Sequence, residues 1–143
     1  MDCEIRIVKA VPEPDFTALY REAGWWTEPE PPGFIGPLVA GSTAVAAAFA
    51  PDGRMIGMGR AISDGCSDAY IQDVVVLREF RRRGIGGAII QALIRELQSR
   101  GIDWIGLVGQ PGTRSFYEQL GFAELKDHLP MRLRDGVWDR PQS

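Results

Sequence analysis

Ala69-Tyr70-Ile71-Gln72-Asp73-Val74-Val75-Val76-Leu77-Arg78-Glu79-Phe80-Arg81-Arg82-Arg83-Gly84-Ile85-Gly86-Gly87 changes character twice within nineteen residues. Its first nine residues end in an almost unbroken apolar run rich in valine, which predicts a strand buried on both faces at the centre of a sheet. From Gly84 to Ser99 the apolar period lengthens to that of a helix. Ile89, Leu93 and Leu97 form one stripe with Ile90 and Ile94 beside it, Gln91, Arg95 and Gln98 face outward, and Gly101 supplies the stop. A buried strand therefore feeds a basic, glycine-rich helix start.

Working outward, Ile5 to Val8 alternates like a first strand, and Pro12 to Ala23 reads as a helix with Phe16, Leu19 and Tyr20 at helical spacing and Gly24 as its end. The prolines at 29, 31 and 32 exclude regular structure between Trp25 and Gly36, and Ile35 to Gly41 is long enough only for a short helix. Thr43 to Phe49 and Met55 to Ile62 are strand-like runs joined by Ala50-Pro51-Asp52-Gly53, a reverse-turn sequence, so a hairpin is expected. Downstream, Trp104 to Val108 predicts a strand and Thr113 to Leu120 a short helix closed by Gly121. Phe122 to Leu125 and Pro130 to Leu133 predict an antiparallel pair whose exposed edge would permit a homodimer. No repeat or linker interrupts the chain, and the expectation is one domain over residues 1–143 with an α/β (α+β) fold.

Composition narrows the function. At 143 residues and 45% hydrophobic the chain can bury a core of its own. A formal charge of -3 argues against general nucleic-acid binding, which needs a basic face, so Arg78 and Arg81 to Arg83 form a local basic spot suited to a small polyphosphate. The start, Met1-Asp2-Cys3-Glu4, is acidic where a secretory signal is basic, and no apolar run approaches the ~20 residues of a membrane span, so a cytoplasmic protein with no membrane partner is expected. Cys3 and Cys66 lie far apart, which supports neither a disulfide framework nor a metal-ligand cluster; no metal is expected.

The turn itself has the chemistry of an anion site. Helix N-termini leave N–H groups unpaired and present partial positive charge, Gly84 and Gly86 remove Cβ atoms that would hold a phosphate away, and the arginines add charge. A Walker loop would need Gly-Lys-Ser/Thr after its glycines, and a dinucleotide fingerprint would need glycine at Ile89. Arg81-Arg82-Arg83-Gly84-Ile85-Gly86 instead resembles the acetyl-coenzyme A signature of the GNAT N-acetyltransferase superfamily, Arg/Gln-x-x-Gly-x-Gly/Ala, in register and in the right place between a central strand and a long helix. The order of elements also resembles that family's fold: a mixed, mostly antiparallel sheet with helices on both faces and splayed central strands holding the cofactor. The resemblance implies that backbone N–H groups from Arg82 to Gly87, Ile85 included, hold the pyrophosphate, while Val74, Val75 and Val76 pair by main chain with the pantetheine arm. Many relatives carry glycine where Arg82 stands and proline where Arg78 stands, so the side chain at 82 must point away from the phosphates or reach around them.

Acetyl transfer from a thioester to an amine requires a neutral amine, an oxyanion donor and a proton for the thiolate. Ser115-Phe116-Tyr117-Glu118-Gln119-Leu120-Gly121-Phe122 resembles the family's second signature, which makes Tyr117 the general acid beside the cofactor sulfur; a half-buried packing tyrosine is the plainer alternative. Asp73, where the central strand turns apolar, is a candidate base or amine anchor, or else an ordinary hydrogen-bonded strand acid. Tyr70 is either a water-mediated proton relay or packing. By the same resemblance the oxyanion donor is an N–H near Val75 or Val76, and the loop bearing Trp25, Trp26, Glu28 and Glu30 roofs an acceptor site suited to a cationic or aromatic amine. His128 reads as a surface residue and Cys66 lacks a neighbouring base or cation in sequence. The expectation is direct acetyl transfer from acetyl-CoA to a small-molecule or peptide primary amine, with a non-catalytic acyl-CoA sensor of the same fold as the alternative.

Overall fold

The computed structural model describes residues 2–136. The chain read above as one domain over residues 1–143 is made of two compact units, Met1–Leu107 and Val108–Ser143.

The first unit is built on a five-stranded sheet in the order β1 (Glu4–Val8), β2 (Ala44–Phe49), β3 (Met55–Ser63), β4 (Asp68–Val76) and β5 (Trp104–Leu107). The first three pairings are antiparallel and β4 to β5 is parallel, joined through α3 (Ile85–Ser99). The β2–β3 hairpin closes as its sequence predicts: Ala50 and Gly53 N–H donate within the turn, Asp52 Oδ1 accepts from Arg54 N–H at 2.9 Å, and Gly53 supplies a φ of 89° that an L side chain resists.

Side-chain alternation gives the sheet two different faces. Ala46, Ala48, Gly57 and Gly59 share one, because their registers pair 46 with 59 and 48 with 57. A Cβ on Gly57 or Gly59 would lie 3.0 Å from a carbon of Ile89, so α3 rests directly against the β3 backbone and its stripe of Ile89, Leu93 and Leu97 is fully buried. The opposite face presents Val45, Ala47, Met58 and Val75, which pack with Phe16, Leu19 and Tyr20 of α1 (Glu13–Glu22) and with Ile35 and Val39 of α2 (Ile35–Gly41). Phe16 and Leu19 are completely buried there, each contributing about 2–3 kcal/mol of apolar transfer. Helices thus cover both faces of a mostly antiparallel sheet, as expected.

The second unit contains α4 (Arg114–Gln119), and the expected antiparallel pair of Phe122 to Leu125 with Pro130 to Leu133 does not form. Pro130 donates no N–H to a ladder, Asp127 turns the chain with a φ of 62°, and a two-stranded ribbon with no face to bury is marginal in water. Leu129 and Met131 stay 80% and 88% exposed, so the alternation that suggested a strand found no core to serve. The edge strand expected to permit a homodimer is absent with it; among the described residues the sheet's edges are β1 and β5.

Candidate functional site

Strand β4 carries the first part of the site because its two halves have different neighbours. From Asp68 to Ile71 it pairs with β5, but β5 ends at Leu107, and from Gln72 to Val76 the described ladders pair β4 with β3 alone. Within that half lies a β-bulge: Arg60 faces Gln72 and Met58 faces Val75, leaving Asp73 and Val74 opposite the single residue Gly59. Asp73 absorbs the extra residue with a φ of 55°. The bulge also switches parity, so that Gln72 shares the α1 face before it and Val75 shares that face after it. Leu77 N–H donates to Ile56 O at 2.9 Å, and alternation back along the strand turns the main-chain groups of Val76 and Val74 away from β3. Val76 O is held by Arg81 Nε at 2.9 Å, which ties the strand's end to the following turn.

That turn begins with a single 3-10 turn at Arg78–Phe80, which the sequence reading did not foresee, and then reverses through Arg82 and Gly84, with φ values of 64° and 79°. Arg82 therefore stands in a left-handed backbone conformation that favours glycine. The first hydrogen bond into the helix is Ala88 N–H to Gly84 O at 3.1 Å. Among the described residues no protein acceptor takes the N–H of Arg82, Arg83, Gly84, Ile85, Gly86 or Gly87. A Cβ at Gly84 would meet nothing within 4 Å, so the cradle opens outward. Arg81, Arg82, Arg83 and Gly84 are exposed; Arg83 lies 5.3 Å from the centre of the Phe80 ring, whereas Arg82 joins none of the ion pairs of the described residues. Unpaired N–H groups at a helix start, open space and cationic flanks fit a diphosphate.

On the α1 face the bulge presents the Asp73 carboxylate to two donors. Tyr20 Oη donates to Asp73 Oδ2 at 2.6 Å and Arg60 Nε to the same oxygen at 2.8 Å. Arg60 is further held by Gln72 Oε1 at 3.3 Å and Ser42 Oγ at 3.5 Å. Oδ1 of Asp73 takes part in none of the side-chain hydrogen bonds of the described residues. Burial, and then the Asp73 carboxylate, hold the Tyr20 phenol well above its ordinary pKa, so it remains a donor. Sequence reasoning missed both partners: Tyr20 was absorbed into an apolar stripe, although Arg60, a lone charge inside the apolar run Met55 to Ile62, was a readable signal.

The loop residues separate into two groups. Trp25 packs edge-on to Tyr20 at 5.1 Å and is thereby linked to Asp73, while Trp26 lies under Arg21 at 4.6 Å. Arg21 also binds the carbonyls of Glu28 and Pro29, so Glu28 is engaged through its backbone and belongs to a loop anchor. Tyr70 is exposed and packs edge-on to Trp104 at 5.4 Å.

In the second unit, Tyr117 sits between Phe116 and Phe122 at 4.9 and 5.8 Å, and Phe122 N–H donates to its carbonyl at 3.1 Å. Burial raises the Tyr117 phenol above its usual pKa. His128 is exposed with Nδ1 2.8 Å from Lys126 O, a surface placement as expected. Cys66 is exposed and unpaired, and hydrogen bonding to Asp64 raises its thiol, which lowers its nucleophilic character. Among the described residues no group of three His, Cys, Asp or Glu side chains could hold a metal ion, and no helix is long and apolar enough to cross a membrane.

The model of the acetyltransferase (GNAT) family matches residues 8–122, and the chain belongs to that family. A curated relative, GCN5-related N-acetyltransferase 1, chloroplastic, of Arabidopsis thaliana, is 40% identical over 76 residues, which are 53% of this chain and 39% of that protein's length. Serotonin N-acetyltransferase 2, chloroplastic, of Oryza sativa subsp. japonica is 37% identical over 71 residues, 50% of this chain and 36% of the relative. The chain thus spans well under half the length of these relatives. The GNAT family acetyltransferase of Streptococcus pneumoniae TIGR4 has the same fold, with a TM-score of 0.79 at 23% identity over 94% of this chain and 98% of the other.

Proposed function

We propose that this chain transfers an acetyl group from acetyl-coenzyme A to a primary amine. The observation that carries the reading is the run of unpaired N–H groups from Arg82 to Gly87 at an open helix start, directly after a strand half that lacks a partner on one edge. Arg82 to Gly87 would hold the pyrophosphate and the arginines would add charge. Because Arg81 already engages Val76 O, the pantetheine arm would pair with Val74 and with the N–H of Val76. That N–H is also the better oxyanion donor of the two expected, since Val75 directs its own toward β3.

When bound, acetyl-CoA supplies an activated acetyl group on a thiol whose ordinary pKa of ~8.5 makes it a fair leaving group. The chain's own residues must then bind the amine neutral and manage two protons. Asp73 is suited to the amine side: Oδ2 is fixed by Tyr20 and Arg60, and Oδ1 is left to accept an N–H of the acceptor. Tyr117 is suited to return a proton to sulfur, because a phenol kept above its usual pKa is fully protonated at neutral pH. Its role rests on the resemblance of Ser115 to Phe122 to the family signature. Trp25, on Tyr20, would wall the acceptor site. The relatives' names include a serotonin acetyltransferase, which fits an amine acceptor of modest size.

The test is thiol release from acetyl-CoA across a panel of amines. Turnover is expected, with Tyr117→Phe slower by about a hundredfold, the typical size of a lost acid–base contribution. Full activity in that variant removes Tyr117 from the acid role. Coenzyme A binding without thiol release for any amine overturns acetyl transfer.

A further inference from the structure

Beyond the bulge, β4 carries an aromatic surface that neither the core nor the cofactor turn uses. Tyr70 and Gln72 lie on one face of β4, and the register sets Ile62 and Arg60 of β3 beside them. The parity switch at Asp73 brings its carboxylate onto this same face, where it meets Arg60. Helices α1 and α2 cover the face around Met58 and Val75 but leave its far end bare, with Ile62 and Trp104 39% exposed and Tyr70 48% exposed. The Trp104 ring is laid along β5 over Gly106, where an added Cβ would stand 2.6 Å from the ring, and its centre is 5.4 Å from that of Tyr70. Gly106 therefore makes room for the indole beside the phenol.

Charge on this surface is sparse and mostly cancelled. Arg60 offsets Asp73, Gln72 is neutral, and Asp68 stands at the start of β4 opposite Trp104. Among the described residues Asp73 Oδ1 offers an amine an unused carboxylate oxygen at the bulge, and three residues of strand, roughly 10 Å, separate it from Tyr70. We infer that the Tyr70–Trp104 surface binds the tail of the acceptor, and that the acceptor is a monoamine bearing an aromatic group, its nitrogen at Asp73 and its ring on the aromatic pair. A polyamine is disfavoured because its second cation would approach Arg60, and the other carboxylate of this face, Asp68, stands five residues of strand from Asp73, roughly 17 Å, at the exposed start of β4. This rests on the amine-acetylating reading above and names the acceptor class for it.

Titration calorimetry on the full chain saturated with coenzyme A tests it, with 4-phenylbutylamine, butylamine and spermidine as probes. 4-Phenylbutylamine is expected to bind about tenfold more tightly than butylamine, the upper end of what one aromatic pairing adds. The advantage should disappear in Tyr70→Ala and shrink in Gly106→Ala, whose methyl group displaces the indole, and should persist in Tyr70→Phe. Tyr70 is on the surface, so its truncation leaves the core intact. Equal affinity for the two monoamines, tighter binding of spermidine, no binding of any amine, or an advantage unchanged in both Tyr70→Ala and Gly106→Ala overturns the inference. Thiol release separates the two readings: acetylation without aromatic preference retires the aromatic surface and keeps acetyl transfer, whereas ring-dependent binding without acetylation does the reverse.

Discussion

Two residues near the end of β4 and the turn after it, Asp73 and Arg82, hold non-glycine backbones in the left-handed region, and their surroundings could hardly differ more. Asp73 is half-buried, and two donors converge on one of its carboxylate oxygens. Arg82 is exposed and joins none of the ion pairs of the described residues. A left-handed L residue costs about 1–2 kcal/mol at Arg82 and less at Asp73, whose short polar side chain tolerates that region better. At Asp73 the network offsets that cost and makes the bulge part of the fold; at Arg82 no ion pair of the described residues does, which is what the proposed role of the turn in binding a ligand would account for.

The strongest way to break this comparison is to close the turn. Gly86→Val should lower coenzyme A affinity by at least about a hundredfold, measured by calorimetry with helicity checked by circular dichroism, because side-chain bulk would block the backbone donors. Unchanged affinity would remove the phosphate role from the turn. Next in size is the bulge: Asp73→Gly relieves the φ but removes the acceptor of Tyr20 and the ion-pair partner of Arg60, and urea denaturation should give a loss of about 2 kcal/mol, reduced from a deeper pair because both partners are partly solvated. Arg82→Gly should act with the opposite sign, stabilising by about 0.5–1 kcal/mol, since strain is released and no partner is lost. If both glycine variants stabilise, the Asp73 network has no structural weight. The smallest effect concerns alkaline pH. The Tyr20 phenol is held above its unfolded value, so the native state keeps a proton that the unfolded state gives up, and stability should fall as pH rises beyond about 10. Tyr20→Phe should flatten that slope in denaturation midpoints taken from pH 9 upward.

Much of this was legible in the residues. The strand of Ala69 to Leu77, the stripe of Ile89, Leu93 and Leu97, and the Pro-Asp-Gly turn at 51 to 53 follow from local periodicity and turn chemistry, and all three were found within a residue or two. The candidate site was legible where its proposed role rests on the backbone. Gly84 and Gly86 announce an open turn because glycine's absence of a side chain is visible in sequence. The Tyr20–Asp73–Arg60 cluster was not, since its members are separated by 53 and 13 positions and only the pairing of β3 with β4 against α1 joins them.

Failure of the expected pair at Phe122 to Leu125 and Pro130 to Leu133 makes the same point from the other side: alternation describes a strand only when a face exists to receive it. The sequence by itself determined the five strands of the sheet, the four α-helices and the glycine-rich turn, because periodicity, glycine placement and charge act over a few residues. Only the tertiary structure decided that one extra residue at the bulge turns Asp73 onto the α1 face beside Tyr20 and Arg60, because parity across a sheet depends on the register of a neighbouring strand, which no local pattern encodes.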